Sequence, residues 1–546
     1  MDIVRRMWIR TGLALVLAVF LAGCGDDNKG AGTSGSSQTA PIDLTIVAGS
    51  ECKALQPLFD QFQSEHNVHL SLQYTGSLDI SQDLDSDNPP ADAYMPSNTL
   101  WITLGDTHKH VKDVKSIART YVVFGIKEPV AKSLGWEGRK VTVSDILQQA
   151  QAGKLRYMMT SATQSNSGAS AYIGYLYAFA GHPDILTSKD LKKPDVQTKI
   201  KAILGTVNRS AGSSGFLKDL FLQRYDDFDG MVNYESVIIE TNKELVAQHK
   251  DPLYVVYPSD GLSIADYPLG FVDHGDAAKK KLFDDLQTFL LSQPAQSQIA
   301  SLGWRTSPIG MQVQNADPSV FNPAWGIDTK RVFSPIRLPD AATIQEALTL
   351  YQTTFRKPSF TVYALDFSGS MGDNGGVDGL KAGVSQIISP DKSSRLFLQA
   401  SPKDVNVIIP FSDHEHKWEE MRVAGNDPNA LNGLVAKVNT LQPSGGTDFY
   451  SALTRALEIV RAQSDIENYS TAIILMTDGQ DNQGQKARYE DALRAAGSHA
   501  SVPIYALTYG EADTSQLGPI ADETSGKIFG GKDDLKRAFR DVKGYN

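Results

Sequence analysis

The chain has 546 residues, enough for three or four folding units at about 150 residues each. Apolar residues make up 41% and charged residues 21%, an ordinary globular balance that excludes wholesale disorder and fibrous repeats. Lys and Arg number 52 against 63 Asp and Glu, a formal charge of -11, so the basic excess that neutralises phosphates is missing and nucleic acid is not an expected partner. Two cysteines exclude a disulfide scaffold and any Cys-rich zinc or iron–sulfur site.

Arg5, Arg6 and Arg10 precede an apolar stretch, Leu13 to Ala22, in the layout of a secretory signal peptide. The stretch is too short to span a bilayer, which takes roughly 20 residues. It ends in Leu21-Ala22-Gly23-Cys24, and this resembles the lipobox of a bacterial lipoprotein. The resemblance implies a signal peptide over 1–23, a lipid on Cys24, and a place in the cell envelope on the extracytoplasmic side of a membrane. Several acyl chains at about 0.8 kcal/mol per buried methylene hold firmly where one does not. Residues 24–40 are small and polar without periodicity, as expected of a flexible tether. Cys52 is then left alone and reads as a small buried residue in a first helical turn.

From 41 to 335 the pattern is α/β. Leu44, Ile46 and Ala48 mark a strand, and Leu55, Leu58, Phe59 and Phe62 share one helical face. Val68, Leu70, Leu72 and Tyr74 alternate as a second strand. Ser165, Asn166, Ser167 and Gly168 stand just before a helical run, Tyr172 to Phe179, where free amides and hydroxyls either cap the helix or hold an anion. Gly49-Ser50-Glu51 and Gly76-Ser77 close two strands, where ligands of open α/β sheets sit. Four segments (IVAGSECKALQPLFDQF, TSATQSNSGASAY, MVNYESVIIETNKEL, and YPSDGLSIADYPLGFV leading into FLLSQPAQSQIASLGWRT) resemble the extracellular solute-binding proteins of bacterial ABC importers. That family implies two lobes of the type II periplasmic-binding-protein kind and a small, possibly anionic, ligand between them. The resemblance brings Tyr234, Glu235 and Asp260 to the crevice alongside Ser50, Glu51, Ser77, Ser165, Asn166 and Ser167. Each of the first three reads equally as a surface or capping residue.

Residues 336–355 read as a connecting helix, with Ile344, Leu348 and Tyr351 on one face. From 356 to 546, four apolar runs (Phe360 to Leu365, Val405 to Phe411, Ala472 to Met476, Val502 to Leu507) predict a largely parallel sheet covered on both faces, a doubly wound Rossmann-like fold. Asp366, Ser368 and Ser370 follow the first run. Thr447 precedes the helix of Tyr450, Leu453, Leu457 and Val460, and Asp478 follows the third run. These are hard oxygen donors, suited to Mg²⁺ or Mn²⁺ and unsuited to zinc. The five resemble the metal-ion-dependent adhesion site (MIDAS) of von Willebrand factor A (VWA) domains. The likeness implies that Ser368, Ser370 and Thr447 bind the ion directly and that Asp366 and Asp478 act through water. It also implies a protein partner that offers an acidic side chain to the metal. Asp448 reads as a helix cap, Asp373 and Asp378 as solvated loop residues, and Asp413-His414-Glu415-His416 as a polar turn. No Gly-x-Ser-x-Gly elbow, phosphate loop or His-Glu-x-x-His is present, so a binding protein is expected rather than an enzyme. An importer receptor and a metal-assisted hydrolase are the alternatives.

Overall fold

The computed structural model describes residues 42–306, 311–313, 315–330, 335–373, 375–413, 419–496, 502–509 and 514–530. The signal peptide, Cys24, the tether, and His414, Glu415 and His416 lie outside the described residues.

The first lobe is built on five strands. Asp43–Gly49 runs parallel to His69–Thr75 on one side and Ala93–Met95 on the other; Pro268–Val272 adds antiparallel to Ala93–Met95, and Val111–Ser116 adds antiparallel to Pro268–Val272 at the edge. The predicted first helix is a 3-10 turn, Ser50–Leu55, that leads into an α-helix, Gln56–His66. Pro57 stands in its first turn, where an amide has no intrahelical partner to lose, and left-handed Asn67 ends it. Leu58, Phe59 and Phe62 are buried, each contributing about 1.5–3 kcal/mol. Cutting Phe59 to Ala costs about 3–5 kcal/mol. Cys52 is buried in the 3-10 turn.

The second lobe centres on Thr120–Lys127, which pairs antiparallel with Ser263–Ala265, Leu253–Val256 and Gly230–Tyr234. Tyr157–Thr160 and Val207–Ala211 continue the sheet in parallel. The chain crosses between lobes after Ser116 and after Ala265. A third passage brings Arg305 back to pair with Arg119.

The connecting helix forms as Ala341–Leu350, started by the Asp340 carboxylate accepting from the Thr343 amide at 2.9 Å and followed by a wide turn, Tyr351–Phe355. Ile344, Ala347 and Leu348 are buried. The helix touches Thr99–Gly105 of the first lobe and Ser188–Leu191 of the second, and Tyr172 of the second lobe donates to the Ala347 carbonyl at 2.8 Å. It therefore rests on both lobes.

The C-terminal sheet has the order Met421–Ala424, Val405–Phe411, Ser359–Asp366, Ser470–Thr477, Ile504–Thr508, Lys527–Gly530, parallel except at the first edge. Along its central strand, Phe360, Val362 and Ala364 pack under the Phe449–Ala462 helix side while Tyr363 and Leu365 face the opposite layer with Leu380 and Val384. Burial on both faces explains the unbroken apolar runs. The last run starts at Ile504 rather than Val502, because Pro503 has no amide for the ladder.

This domain meets the second lobe at the amino-terminal ends of its strands. Arg209 Nη2 donates to Tyr505 Oη and to the Ser525 carbonyl, both at 3.1 Å, and Gln223 donates to the Asp522 carbonyl at 3.2 Å. Gln352, from the turn after the connecting helix, donates to the Gln399 carbonyl at 3.0 Å. Strands of seven or eight residues separate that end from the carboxyl ends by about 25 Å.

Candidate functional site

Three loops meet at the carboxyl-terminal edge of the C-terminal sheet. The Ser444 amide donates to the Phe367 carbonyl at 2.8 Å and Gly369 donates to Gly445 at 3.0 Å, which ties the first loop to the second. The Asn482 amide donates to the Thr447 carbonyl at 3.0 Å, which ties the second to the third. Asp366 is fully buried at the base and accepts from the Ser368 amide at 2.7 Å and the Thr477 hydroxyl at 2.6 Å. Burial pushes its carboxyl up to about 7, and the nearby Asp478 acts in the same direction. Burial also raises the carboxyl of Asp478. Ser370 is exposed and bridges the cluster: its Oγ lies 3.1 Å from Ser368 Oγ and donates to Asp478 at 2.9 Å. A Cβ placed on Gly479 would lie 3.7 Å from Thr447 Oγ1 and 4.0 Å from Ser370 Oγ, so Thr447 shares the same hollow.

The donor set fits a hard dication. All five groups present oxygen, and two anionic side chains lie beside three hydroxyls. Ser412 Oγ and Asp448 Oδ2, next to Thr447, are buried without a hydrogen-bond partner, so polar capacity remains open at this edge. Asp448 accepts from the Ser451 amide at 3.1 Å through its other oxygen and caps the helix as expected. Asp373 and Asp378 are exposed. Among the described residues no group of three His, Cys, Asp or Glu is placed to hold an ion; this cluster has only two carboxylates and relies on hydroxyls.

Between the lobes, the starts of several helices converge. Ser50 begins the 3-10 turn, Ser77 begins Ser77–Leu84, Asn166 begins Asn166–Phe179, Ser214 begins Ser214–Gln223, and Tyr234 precedes Glu235–Ala247. The partial positive ends of these helices favour negative charge. Ser77 Oγ lies 3.1 Å from Ser97 Oγ, which in turn donates to Glu51. Across the cleft Ser165 and Ser167 lie 3.1 and 2.8 Å from Ser214 Oγ, and Thr160 lies 2.8 Å from Ser167. Ser165 stands at the cap position of its helix, yet its hydroxyl makes no capping bond. The lobes touch directly here. Trp101 donates to Asn166 at 2.8 Å, Asn166 donates to Tyr234 at 3.1 Å, and a Cβ on Gly76 would lie 2.8 Å from the Gln164 carbonyl. Burial raises the carboxyl of Glu51, and a second buried acid, Asp79, stands in the first turn of Ser77–Leu84.

Two residues expected at the crevice are engaged elsewhere. Glu235 is fully buried, with Oε1 2.7 Å from Arg305 Nε and Oε2 2.8 Å from Nη2, and Tyr257 also donates to it. Its carboxylate is thus committed to three protein donors. Asp260 accepts from the Val143 amide at 2.8 Å at the start of Val143–Gln151.

Residues 44–305 match the family described as bacterial extracellular solute-binding protein, and 362–539 match the von Willebrand factor type A domain. An extracellular solute-binding domain is followed by a C-terminal VWA domain. Solved structures similar to this chain include the ferric binding protein from Campylobacter jejuni (12% identity, TM-score 0.40, covering 56% of this chain and 98% of that one). Iron-bound HitA from Pseudomonas aeruginosa (13%, 0.42, 57% and 99%) and a von Willebrand factor type A protein from Catenulispora acidiphila (20%, 0.28, 35% and 43%) are also similar. The two domains make this a binding protein with an ABC-type solute-binding region. The first implies a small-molecule ligand and an extracytoplasmic location, and the VWA domain implies protein interaction. Both families are typically binding domains rather than enzymes. Among the described residues no helix is long and apolar enough to cross a membrane.

In the solute-binding domain, sequence reasoning missed Ser97, Ser214 and Arg305. Ser97-Asn98 and Ser213-Ser214 each precede a helix, and Asn98 and Ser213 do accept capping bonds. A capping pattern of this kind was the available signal. Arg305 closes the Gly-Trp-Arg stretch and carried no separate signal.

Proposed function

We propose that this is a lipid-anchored extracytoplasmic binding protein whose cleft takes a small anion and whose VWA domain docks a protein partner through a divalent ion. The observation that carries the reading is the meeting of Asp366, Ser368, Ser370, Thr447 and Asp478 at a sheet edge remote from the solute-binding domain, with Ser370 open to solvent. Mg²⁺ or Mn²⁺ held there supplies a Lewis-acidic site for a carboxylate of the partner. Asp366 and Thr477 fix the base, and Ser370 and Asp478 form the accessible rim. In the cleft, paired serine hydroxyls and converging helix starts support an anionic solute, and Cys24 would carry the anchor.

Titration calorimetry with Mg²⁺ and Mn²⁺ tests the metal site. Asp366→Ala and Thr447→Ala are expected to lose at least tenfold in affinity while circular dichroism stays unchanged; equal affinity in both variants refutes it. Cys24→Ser is expected to move the protein from the membrane pellet to the soluble fraction, and a variant that stays in the pellet has another anchor. The solute-binding match favours one second reading, an importer receptor, which leaves the VWA domain without a task.

A further inference from the structure

A partly open cavity of about 60 Å³ lies where the second lobe, the turn after the connecting helix and the VWA domain meet. Thr160, Gln164 and Ser210 line it from the lobe, Arg356 and Lys357 from the segment entering the VWA domain, and Ser470 from the VWA sheet. Among the described residues none of the first lobe lines it, and neither do Ser165, Ser167, Ser214 or Tyr234; it shares Thr160 and Gln164 with the wall of the cleft and is closed on its other side by the segment entering the VWA domain.

Its polar groups are unbalanced. Gln164 is 5% exposed, and its Nε2 has no hydrogen-bond partner. Arg356 gives its terminal nitrogens to Asp404 and the Lys357 carbonyl, leaving Nε buried and unpaired. Each such buried donor is destabilising while nothing accepts from it. No carboxylate lines the cavity. Asp404 neutralises Arg356, which leaves Lys357 as a surplus positive charge that Glu467 offsets only at a distance. Burial pulls the Lys357 ammonium below its ordinary pKa, as expected of a half-buried cation lacking a close counter-ion. Water can accept the hydrogen bonds but cannot balance the charge. A space that holds about four to six water-sized occupants admits the non-hydrogen atoms of one tetrahedral anion.

We propose that this three-way junction is a second binding site, for a small tetrahedral oxyanion held by Lys357, Arg356 Nε and Gln164 Nε2. The occupant joins three parts of the chain. The loop 161–165 forms one wall of the cavity and leads directly into the helix whose start faces the cleft.

Calorimetric titration of the whole chain with inorganic phosphate and with sulfate tests this. Saturable binding is expected, with Kd raised tenfold or more in Lys357→Gln and in Gln164→Leu and retained in Lys357→Arg. Gln164→Leu removes the donor without touching charge, so it carries the test if Lys357→Gln fails to fold. Binding that is lost in Ser167→Ala but unchanged in Lys357→Gln and Gln164→Leu assigns the anion to the cleft alone and overturns the junction site. Absence of binding by the unmodified chain for both anions overturns it as well. Loss only in the Lys357 and Gln164 variants supports the junction site even where the cleft proves to take no anion.

Discussion

The substitution Glu235→Gln separates a structural carboxylate from a ligand-binding one. Both Glu235 and Arg305 side chains have 0% exposure. Burial opposes the charge on Arg305, yet Glu235 outweighs it and holds the guanidinium above its ordinary pKa. The substituted amide keeps the shape but removes the negative charge from two bonds of 2.7 and 2.8 Å, while the guanidinium stays buried against the Met311 carbonyl and the Tyr121 ring. Breaking a buried pair from one side costs about 3–5 kcal/mol, because the remaining charge is uncompensated. For a domain of this size that lowers the melting temperature by about 6–20 °C. Differential scanning calorimetry of the whole chain reads the shift. The paired change Glu235→Leu with Arg305→Met, which removes both charges, is expected to recover more than half of it. A single-variant loss below about 1 kcal/mol, or a double variant no more stable than the single, refutes the reasoning.

Gly76→Ala places a methyl 2.8 Å from the Gln164 carbonyl across the cleft, and since a backbone atom cannot swing aside, the lobes must part. Small-angle scattering is expected to show a larger radius of gyration and titration a weaker solute; an unchanged scattering curve contradicts this. Asp404 is buried, which raises its carboxyl, but Arg356 and the Ser359 and Ser401 amides outweigh burial and hold it below the usual carboxylate range. The unfolded chain therefore takes up this proton at higher pH than the folded one. The group's stabilisation is complete above about pH 4 and disappears as pH falls through the folded value. Unfolding free energies measured from pH 6 to 2 should show the gap between the native chain and Asp404→Asn closing on the acid side; a constant gap refutes it.

The VWA sheet was legible because its strands are apolar on both faces; of the three candidate-site loops, two follow such runs and the one with Thr447 precedes an amphipathic helix. The helix facing the cleft was less legible. It begins at Asn166 rather than near Tyr172, since Gly168 and Gly174 press against backbone, and a Cβ would lie 2.3 Å from the Thr160 carbonyl and 2.1 Å from that of Gly261. A helix buried all round shows small residues instead of an apolar stripe. Glu235 illustrates the opposite limit. The family resemblance pointed it to the crevice, while its partner Arg305 lies 70 positions away and cannot be paired with it by local pattern.

The helix Ala341–Leu350 is the only covalent route, among the described residues, from the solute-binding domain to the VWA sheet, and it lies on both halves of the former. Spreading those halves strips it from Thr99–Gly105 or breaks the Tyr172 bond to Ala347. Shortly past its end the first VWA strand begins at Ser359, with the wide turn between them wedged against Gln399. The root of the VWA sheet is therefore tied mechanically to both halves of the solute-binding domain at once.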